Sequence, residues 1–434
     1  MNIYIETYGC SANQNNGEIM AGLLSRAGHI IVNNENIADI CILNSCIVKG
    51  PTLQKMLSRI KQLSRKKLIV AGCMPDVFSQ SILKIAPKAS LVGSHHVNEI
   101  VRAVKSLIER KQVSLIKEGD LLGNLGSIQK EERLCKPKNY KNKIIGITQI
   151  SEGCLGDCSY CVVRLVKGHL HSYPAESIIK NIQNDLQSGC KEIWLTSQDC
   201  ASYGLDNPNK KIFLPELLEK ILSLKGKFIV RLGMSNPNHI ISIADELIEL
   251  YKHKKMFKFL HIPLQSGSNK ILKLMNRKYN AEDFAKIIIK FRKEIPEITI
   301  STDIIAGFPT ETDSDFNETL NLLNKTKPDI INISRYWPMP GTKAALMPQL
   351  EQKVVMKRTD ELMNLHNQLT LSINKNFIGK ELKVLVDENK EGLLVARDSA
   401  YRFVILKGDK SFLGKNINVK IISADAHHLI GELV

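Results

Sequence analysis

The sequence lacks several features that mark other classes of protein. No apolar run in its 434 residues approaches the roughly 20 residues that a membrane-spanning helix needs. Its first residues lead directly into a strand-like segment, so we expect no signal peptide. No His/Asp catalytic arrangement is recognisable in it. We therefore expect a cytoplasmic protein without a membrane partner.

Acidic residues are few relative to basic ones. The chain has 44 Asp and Glu against 60 Lys and Arg, which gives a net charge of +16. An excess of this size favours a polyanionic partner, most simply nucleic acid. The first 110 residues contribute +6, whereas residues 372–434 contribute only +2. A basic surface also serves solubility, so charge alone leaves both interpretations open.

Three of the ten cysteines lie in one short loop. Cys154, Cys158 and Cys161 have the spacing C-x3-C-x2-C and follow the apolar run 144–150. A reducing compartment favours metal binding by such cysteines over disulfides. Three thiolates supply three of the four ligands of a [4Fe–4S] cluster and leave one iron open to a small molecule. The alternative is a structural zinc loop, for which a fourth ligand at zinc spacing is not obvious.

Three further cysteines each follow an apolar, strand-like segment. Cys10, Cys46 and Cys73 come directly after such segments, and helix-like stretches separate them. In a parallel sheet the carboxyl ends of the strands share one edge, so these cysteines are expected to converge. We interpret them as a second three-cysteine [4Fe–4S] site. The alternative is three buried core thiols, the interpretation that we give to Cys41 within its strand.

The alternation of strands and helices predicts an α/β protein with three folded parts. Residues 1–110 are predicted to form a doubly wound parallel sheet, and 111–143 a linker. Six strand–helix segments over 144–371 predict a partial parallel (β/α)6 barrel, with its chemistry at the strands' carboxyl ends. Residues 372–434 contain four strand-like segments with Gly-bearing turns, which predict a small β-barrel.

Several motifs resemble those of a known family. The C-x3-C-x2-C loop resembles the signature of radical S-adenosylmethionine (SAM) enzymes. The stretches around the three separate cysteines, Thr7–Asn13, Asn44–Lys49 and Ala71–Pro75, are similar to the motifs of the methylthiotransferase amino-terminal domain. Residues 372–434 resemble the TRAM module, an RNA-binding fold. The resemblance covers nearly the whole chain.

The resemblance implies cofactors and site residues. In that family the Cys154 loop would hold the cluster that cleaves SAM, and Cys10, Cys46 and Cys73 the cluster that carries or donates sulfur. Tyr160 would pack near the adenine of SAM. Stretches after the barrel strands match those that line the SAM pocket in related enzymes, which gives as cofactor-binding candidates Gln198, Asp199, Ser235, Gln265 and Ser266. Each of these five also suits a helix cap or a turn.

The same resemblance implies a substrate. Gly153-Cys154-Leu155 and Arg231–Pro237 look like the archaeal and eukaryotic branch that acts on N6-threonylcarbamoyladenosine (t6A) at position 37 of tRNA. We expect conversion of t6A37 to its 2-methylthio form, ms2t6A, in the anticodon loop, with two clusters, two SAM and an electron donor such as a flavodoxin or ferredoxin. The alternatives are a methylthiotransferase for isopentenyladenosine tRNA or a ribosomal-protein aspartate, or a non-enzymatic RNA-binding iron–sulfur electron carrier.

Overall fold

The structure is a computed structural model that describes residues 1–47, 50–116, 131–207 and 212–434. Two stretches named above therefore lie partly outside the described residues: Val48 and Lys49 of the second motif, and 117–130 of the predicted linker. The chain forms two compact units. Unit 1 comprises 1–141, 147–181 and 337–345, and unit 2 comprises 142–146, 182–336 and 346–434.

Unit 1 is built on a six-stranded parallel sheet. Its strands lie in the order β2-β1-β3-β4-β5-β6, and every neighbouring pair is parallel. Helices α1 to α4 alternate with the strands, as the sequence predicts. The elements are β1 (Asn2–Thr7), α1 (Ser11–Arg26), β2 (Ile30–Val32), β3 (Ile40–Ser45), α2 (Gly50–Leu63), β4 (Lys67–Gly72), α3 (Pro75–Ile85), β5 (Ser90–Gly93), α4 (Ile100–Ile108) and β6 (Ser114–Leu115).

The central strands of this sheet are apolar because both of their faces are covered. All six residues of β3 are buried, and their side chains alternate between two core clusters. Cys41 and Leu43 join the cluster with α2 and α3, whereas Ile40 and Ile42 join the cluster with α1 and α4. This confirms the doubly wound sheet. The strand order reverses between β1 and β3, and in such sheets ligands bind in the crevice at this point, outside the carboxyl ends of the strands.

The chain passes between the units within β7 (Ile145–Gln149) and again within α6 (Ala175–Gln187). The elements between these two are short. They comprise β8 (Ser151–Glu152), α5 (Val162–Lys167) and β9 (His171–Ser172), and β8 pairs with β9 in an antiparallel ladder.

Unit 2 contains the remaining strand–helix repeats. β10 pairs with β11, and β12, β13 and β14 pair in that order, all in parallel. The segment before β12 joins the two groups, because Met256 forms a parallel bridge with Val230 of β11. The elements are β10 (Glu192–Thr196), α7 (Leu214–Leu222), β11 (Ile229–Leu232), α8 (Pro237–Ile240), α9 (Ala244–Lys252), β12 (Phe259–His261), α10 (Asn269–Leu274), α11 (Ala281–Glu294), β13 (Thr299–Ala306), α12 (Asp313–Thr326), β14 (Ile330–Arg335) and α13 (Gln352–Lys375).

The carboxyl-terminal region is a closed barrel of five strands in the order β15-β16-β17-β19-β18. The four strand-like segments of the sequence correspond to β15, β16, β17 and β18, whereas β19, the last strand in chain order, was not predicted. That strand is short and has Gly431 in its middle, which weakens the alternating pattern. The strands are β15 (Glu381–Lys390), β16 (Leu393–Arg397), β17 (Phe403–Lys407), β18 (Asn416–Ala424) and β19 (Leu429–Leu433).

Charged and aromatic side chains fasten this barrel to the parallel strands of unit 2. The Arg231 guanidinium of β11 lies 5.1 Å from the Tyr401 ring centroid, and Lys258 N donates to Ser399 O at 2.8 Å. Burial raises the pKa of Glu192 to about 7, although the nearby Arg397 lowers it.

Among the described residues, no helix has both the length and the apolar composition to cross a bilayer.

Candidate active site

The three separate cysteines all lie at the carboxyl edge of the sheet of unit 1. Cys10 is the residue before α1, Cys46 follows β3 directly, and Cys73 follows β4 directly. The strands β1, β3 and β4 are neighbours in the sheet, so the cysteine loops are neighbours too. Parallel pairing thus brings together side chains that are 36 and 27 residues apart in the sequence.

Backbone contacts hold these loops close to one another. Tyr8 N donates to Asn44 O at 2.9 Å, and Cys73 N donates to Ser45 O at 3.2 Å. Gly9 has a φ of +111°, and a Cβ at this position would lie 2.8 Å from Cys46 Sγ. The first loop therefore needs glycine, both for its backbone conformation and for its approach to the second cysteine.

The electrostatics of Cys73 also indicate a shared site. Burial raises the pKa of the Cys73 thiol to about 12, and Cys46 and Cys10 contribute to the rise, whereas the Lys167 ammonium lowers it. Neighbouring thiolates repel one another in a buried place unless a cation neutralises them. This donor set fits an iron–sulfur cluster, whose irons bind one thiolate each.

The C-x3-C-x2-C loop is stabilised by its own backbone. Gly153 has a φ of +84°, and a Cβ there would lie 2.0 Å from His169 O, so only glycine fits. Cys154 N donates to Gly168 O at 3.2 Å, and Cys161 N donates to Cys158 O at 3.1 Å. Gly156 N lies 3.2 Å from Cys154 Sγ, as a donor to that sulfur. These bonds turn the loop so that its sulfurs lie near one another.

The thiol of Cys161 resembles that of Cys73 in its surroundings. Its pKa is raised to about 12 by burial and by Cys158 and Cys154, although the backbone N–H groups of Arg164 and Val163 lower it. These two groups belong to the first turn of α5 and donate toward the sulfur, which favours a thiolate. The second set of cysteines therefore also fits a group of iron ions with positive charge.

Helix α5 connects the two sets of cysteines. It begins directly after Cys161, and its Val162 and Val166 are buried in the same core cluster as Ile47 and Met74. Ile47 and Met74 are the residues directly after Cys46 and Cys73. The packing of one short helix thus fixes the C-x3-C-x2-C loop relative to two of the other three cysteines, within unit 1.

In the part of the chain that the structure describes, no group of three or more His, Cys, Asp or Glu side chains is arranged around a single metal ion. A tetrahedral zinc ion needs four ligands that converge on one point. A [4Fe–4S] cluster is larger, and its thiolates bind different irons, so they stand further apart. Each set here provides three cysteines, one fewer than a closed zinc site needs.

A buried ion-pair network lies directly before the C-x3-C-x2-C loop. The Glu152 side chain is fully buried, and its Oε1 accepts from Lys167 Nζ at 2.8 Å and lies 3.0 Å from an Arg133 guanidinium nitrogen. Arg133 is also fully buried and donates to Asn16 Oδ1 at 3.2 Å. The network therefore links β8, the end of α5 and α1. Nothing in the sequence pattern marked these residues.

We expect Glu152→Gln to destabilise unit 1 by about 3–5 kcal/mol, because it removes the carboxylate that both buried cations contact and leaves Arg133 the more distant Glu131, at 3.8 Å. Thermal unfolding of the purified variant would measure this. The matched control is Glu109→Gln, which removes an exposed pair with Lys111 of the kind that contributes about 0–1 kcal/mol. Equal melting temperatures for the two variants would contradict the role that we give to the network.

The SAM-pocket candidates other than Tyr160 lie in unit 2, at the carboxyl ends of its strands. Asp199 follows β10 and is fully buried. Its carboxylate accepts from Asn236 N at 3.0 Å and Asn236 Nδ2 at 2.8 Å, and it lies 2.6 Å from His239 Nδ1. These contacts join the loop after β10 to the loop after β11. The contact of Asp199 with SAM stays a prediction.

The other candidates of unit 2 differ in exposure. Gln198 and Gln265 are half-buried, and Gln265 has a φ of +70°. Ser235 and Ser266 are buried, and Ser266 Oγ lies 3.3 Å from Thr319 Oγ1. Of these four candidates, the two glutamines are therefore the more exposed. Tyr160 is half-buried in unit 1, between Cys158 and Cys161.

One polar pair of the parallel strands was not predicted. His261 Nε2 of β12 lies 2.9 Å from Asp303 Oδ2 of β13, and both side chains are partly exposed. The register, which sets His261 opposite Ser301, was needed to bring these two residues together.

Comparison with known proteins identifies three regions. The radical SAM superfamily matches residues 148–323, the uncharacterized protein family UPF0004 matches 2–93, and the TRAM domain matches 375–434. A solved structure of the radical SAM methyltransferase TsrM from Kitasatospora setae has a TM-score of 0.57 at 10% identity, over 90% of this chain and 79% of that one. At this identity the similarity shows the fold alone.

Curated relatives match the entire chain. A protein of Pyrococcus horikoshii, "Probable threonylcarbamoyladenosine tRNA methylthiotransferase", is 38% identical over 100% of this chain and 99% of its own length. The "Threonylcarbamoyladenosine tRNA methylthiotransferase" of Xenopus laevis is 37% identical over 100% of this chain and 77% of its own. The human protein of the same name is 36% identical, with 100% and 74% covered. The chain therefore belongs to the radical SAM family of threonylcarbamoyladenosine tRNA methylthiotransferases.

Proposed function

We propose that this protein methylthiolates C2 of t6A at position 37 of tRNA and thereby forms ms2t6A, with two [4Fe–4S] clusters and two SAM. The observation that carries the proposal is the pair of three-cysteine sets that α5 joins within unit 1. One cluster is enough to cleave SAM, so a second set of three thiolates calls for a second task. The name of the relatives, methylthiotransferase, suggests that this second task is the transfer of sulfur.

The residues divide this work between them. Cys154, Cys158 and Cys161 would hold one cluster, and Cys10, Cys46 and Cys73 the other. When bound, the first cluster and SAM supply a radical that removes hydrogen from an unactivated C–H bond, and the second cluster supplies a carrier for sulfur. Helix α5 keeps the two sets of cysteines at a fixed separation. The Glu152–Lys167–Arg133 network anchors both ends of the C-x3-C-x2-C loop.

We assign the binding of SAM to Tyr160, Gln198, Asp199, Ser235, Gln265 and Ser266. The TRAM barrel of 375–434 and the positive net charge of +16 support a tRNA substrate. The electrons for SAM cleavage would come from a flavodoxin or ferredoxin, in the cytoplasm.

Nucleoside mass spectrometry tests the proposal. The reconstituted protein is incubated without oxygen with t6A-containing tRNA, SAM, reductant and sulfide, and we expect a product heavier than t6A by one methylthio group in place of hydrogen. A parallel reaction with isopentenyladenosine-containing tRNA is expected to stay unmodified. Formation of 5′-deoxyadenosine with no change in t6A would contradict the proposal that t6A is the substrate. If protein loaded with both clusters also failed to cleave SAM, an electron carrier would be the better account.

A further inference from the structure

A groove of about 930 Å³ lies in unit 2 between the amino ends of its parallel strands and the carboxyl-terminal barrel. Lys191 directly precedes β10, Lys227 precedes β11 and Lys254 precedes β12, whereas Lys383 comes from β15 of the barrel. The predicted SAM-pocket residues follow the carboxyl ends of these same strands. The groove is therefore a separate site, at the opposite end of the strands.

The groove is strongly basic. Lys191, Lys227, Lys254 and Lys383 are all exposed, and within the described ranges none of them forms an ion pair. Its acidic lining is smaller: Asp398 is already paired with Arg402, which leaves Glu381. Burial lowers the pKa of His253 in the groove, and Lys255, Lys254 and Lys258 lower it further. Such a concentration of unpaired cations favours a polyanion.

The two phenylalanine rings that line the groove are buried. Phe228 and Phe257 line it but are 7% and 1% exposed, so neither ring is open for a base to stack upon. Lys255 Nζ lies 4.5 Å from the Phe228 ring centroid and donates to Leu222 O at 3.2 Å, which fixes this wall. Base recognition on single strands relies on exposed aromatic rings, whereas lysine side chains contact phosphates.

We propose that this groove binds the sugar–phosphate backbone of the tRNA, without reading its sequence, at a distance from the nucleoside that reacts. The inference rests on the proposed function in one respect only, namely that the substrate is an RNA. It adds a second contact area to the enzyme, formed jointly by the parallel strands and the TRAM barrel. Such contacts position a nucleic acid and supply affinity that depends on salt.

The test replaces Lys191, Lys227, Lys254 and Lys383 together with glutamine in the full-length protein and measures the binding of a tRNA transcript at several salt concentrations. We expect at least about tenfold weaker binding at low salt, and a slope of log K against log salt that is flatter by about 3 to 4. The matched control replaces four other exposed lysines of unit 2, outside the groove: Lys273, Lys286, Lys293 and Lys325. Equal losses in the two variants would overturn the proposal.

A second measurement does not depend on variants. Lysines of the native protein are acetylated with and without tRNA, and their reactivity is read by mass spectrometry. Protection of the four groove lysines, with the four control lysines unchanged, would support the groove, and unaltered reactivity of the groove lysines would overturn it. The two proposals can fail separately: the groove stands if it binds tRNA although no methylthio nucleoside forms, and it fails if product forms while the groove variant binds like the control.

Discussion

Replacement of Cys154 by alanine is expected to abolish SAM cleavage. Cys154 is the first of three thiols in a loop that backbone hydrogen bonds hold in place, and its sulfur already accepts from Gly156 N at 3.2 Å. A cluster with one open iron has no spare protein ligand. Because the loss of even an outer partner of a metal ligand costs about 10–100-fold, loss of the ligand itself should exceed about 100-fold. The measurement is the rate of 5′-deoxyadenosine formation after reduction.

Cys135 offers a matched control for this variant. It is an exposed cysteine of unit 1 that belongs to neither set of three. Cys135→Ala is expected to cleave SAM at the rate of the unaltered protein. Cleavage of SAM by Cys154→Ala at the rate of this control would contradict the assignment of the SAM-cleaving cluster to the C-x3-C-x2-C loop.

Joint replacement of Cys10, Cys46 and Cys73 by alanine is expected to separate the two halves of the reaction. The three residues lie at one edge of the sheet, and the C-x3-C-x2-C loop has a hydrogen-bonded backbone of its own. The variant should therefore still form 5′-deoxyadenosine but no methylthio nucleoside, a complete loss of product. Both compounds are measured in the same reaction mixture.

The control for the triple variant is Cys41→Ala, a fully buried thiol within β3 of the same sheet. Its loss should lower the melting temperature but leave product formation intact, because Cys41 lies within the strand and not at its carboxyl edge. A triple variant that makes the methylthio product would show that these cysteines do not carry the sulfur step.

The positions of Cys10, Cys46 and Cys73 were predictable because they depend on local pattern and on one topological rule. Each follows a strand of the sheet, and parallel strands place their carboxyl ends at one edge. The burial of β3 on both faces explains why its sequence is continuously apolar, and why Cys41 within it is a core residue. Patterns of this kind also predict strands over 192–196 and 330–335 and a helix over 175–187, which are the bounds of β10, β14 and α6 in the structure.

The rest of the site depends on contacts between distant segments. Arg133 reaches Glu152 and Asn16, the latter 117 residues away, and only the folded chain shows that these buried groups meet. The packing of α5 against Ile47 and Met74 was also not predictable, because the sequence of an apolar helix face does not show which residues it packs against. The strand β19 was missed because five residues with a central glycine give almost no alternation.

The most direct test of the central claim, two separate clusters on two sets of cysteines, is the iron and sulfide content of the reconstituted protein with its Mössbauer spectrum. We predict about eight irons for the unaltered chain, since each [4Fe–4S] cluster holds four. About four should remain when either set of three cysteines is replaced by alanine. A content of about four in the unaltered chain, or the loss of all iron from either variant, would contradict two independent sites.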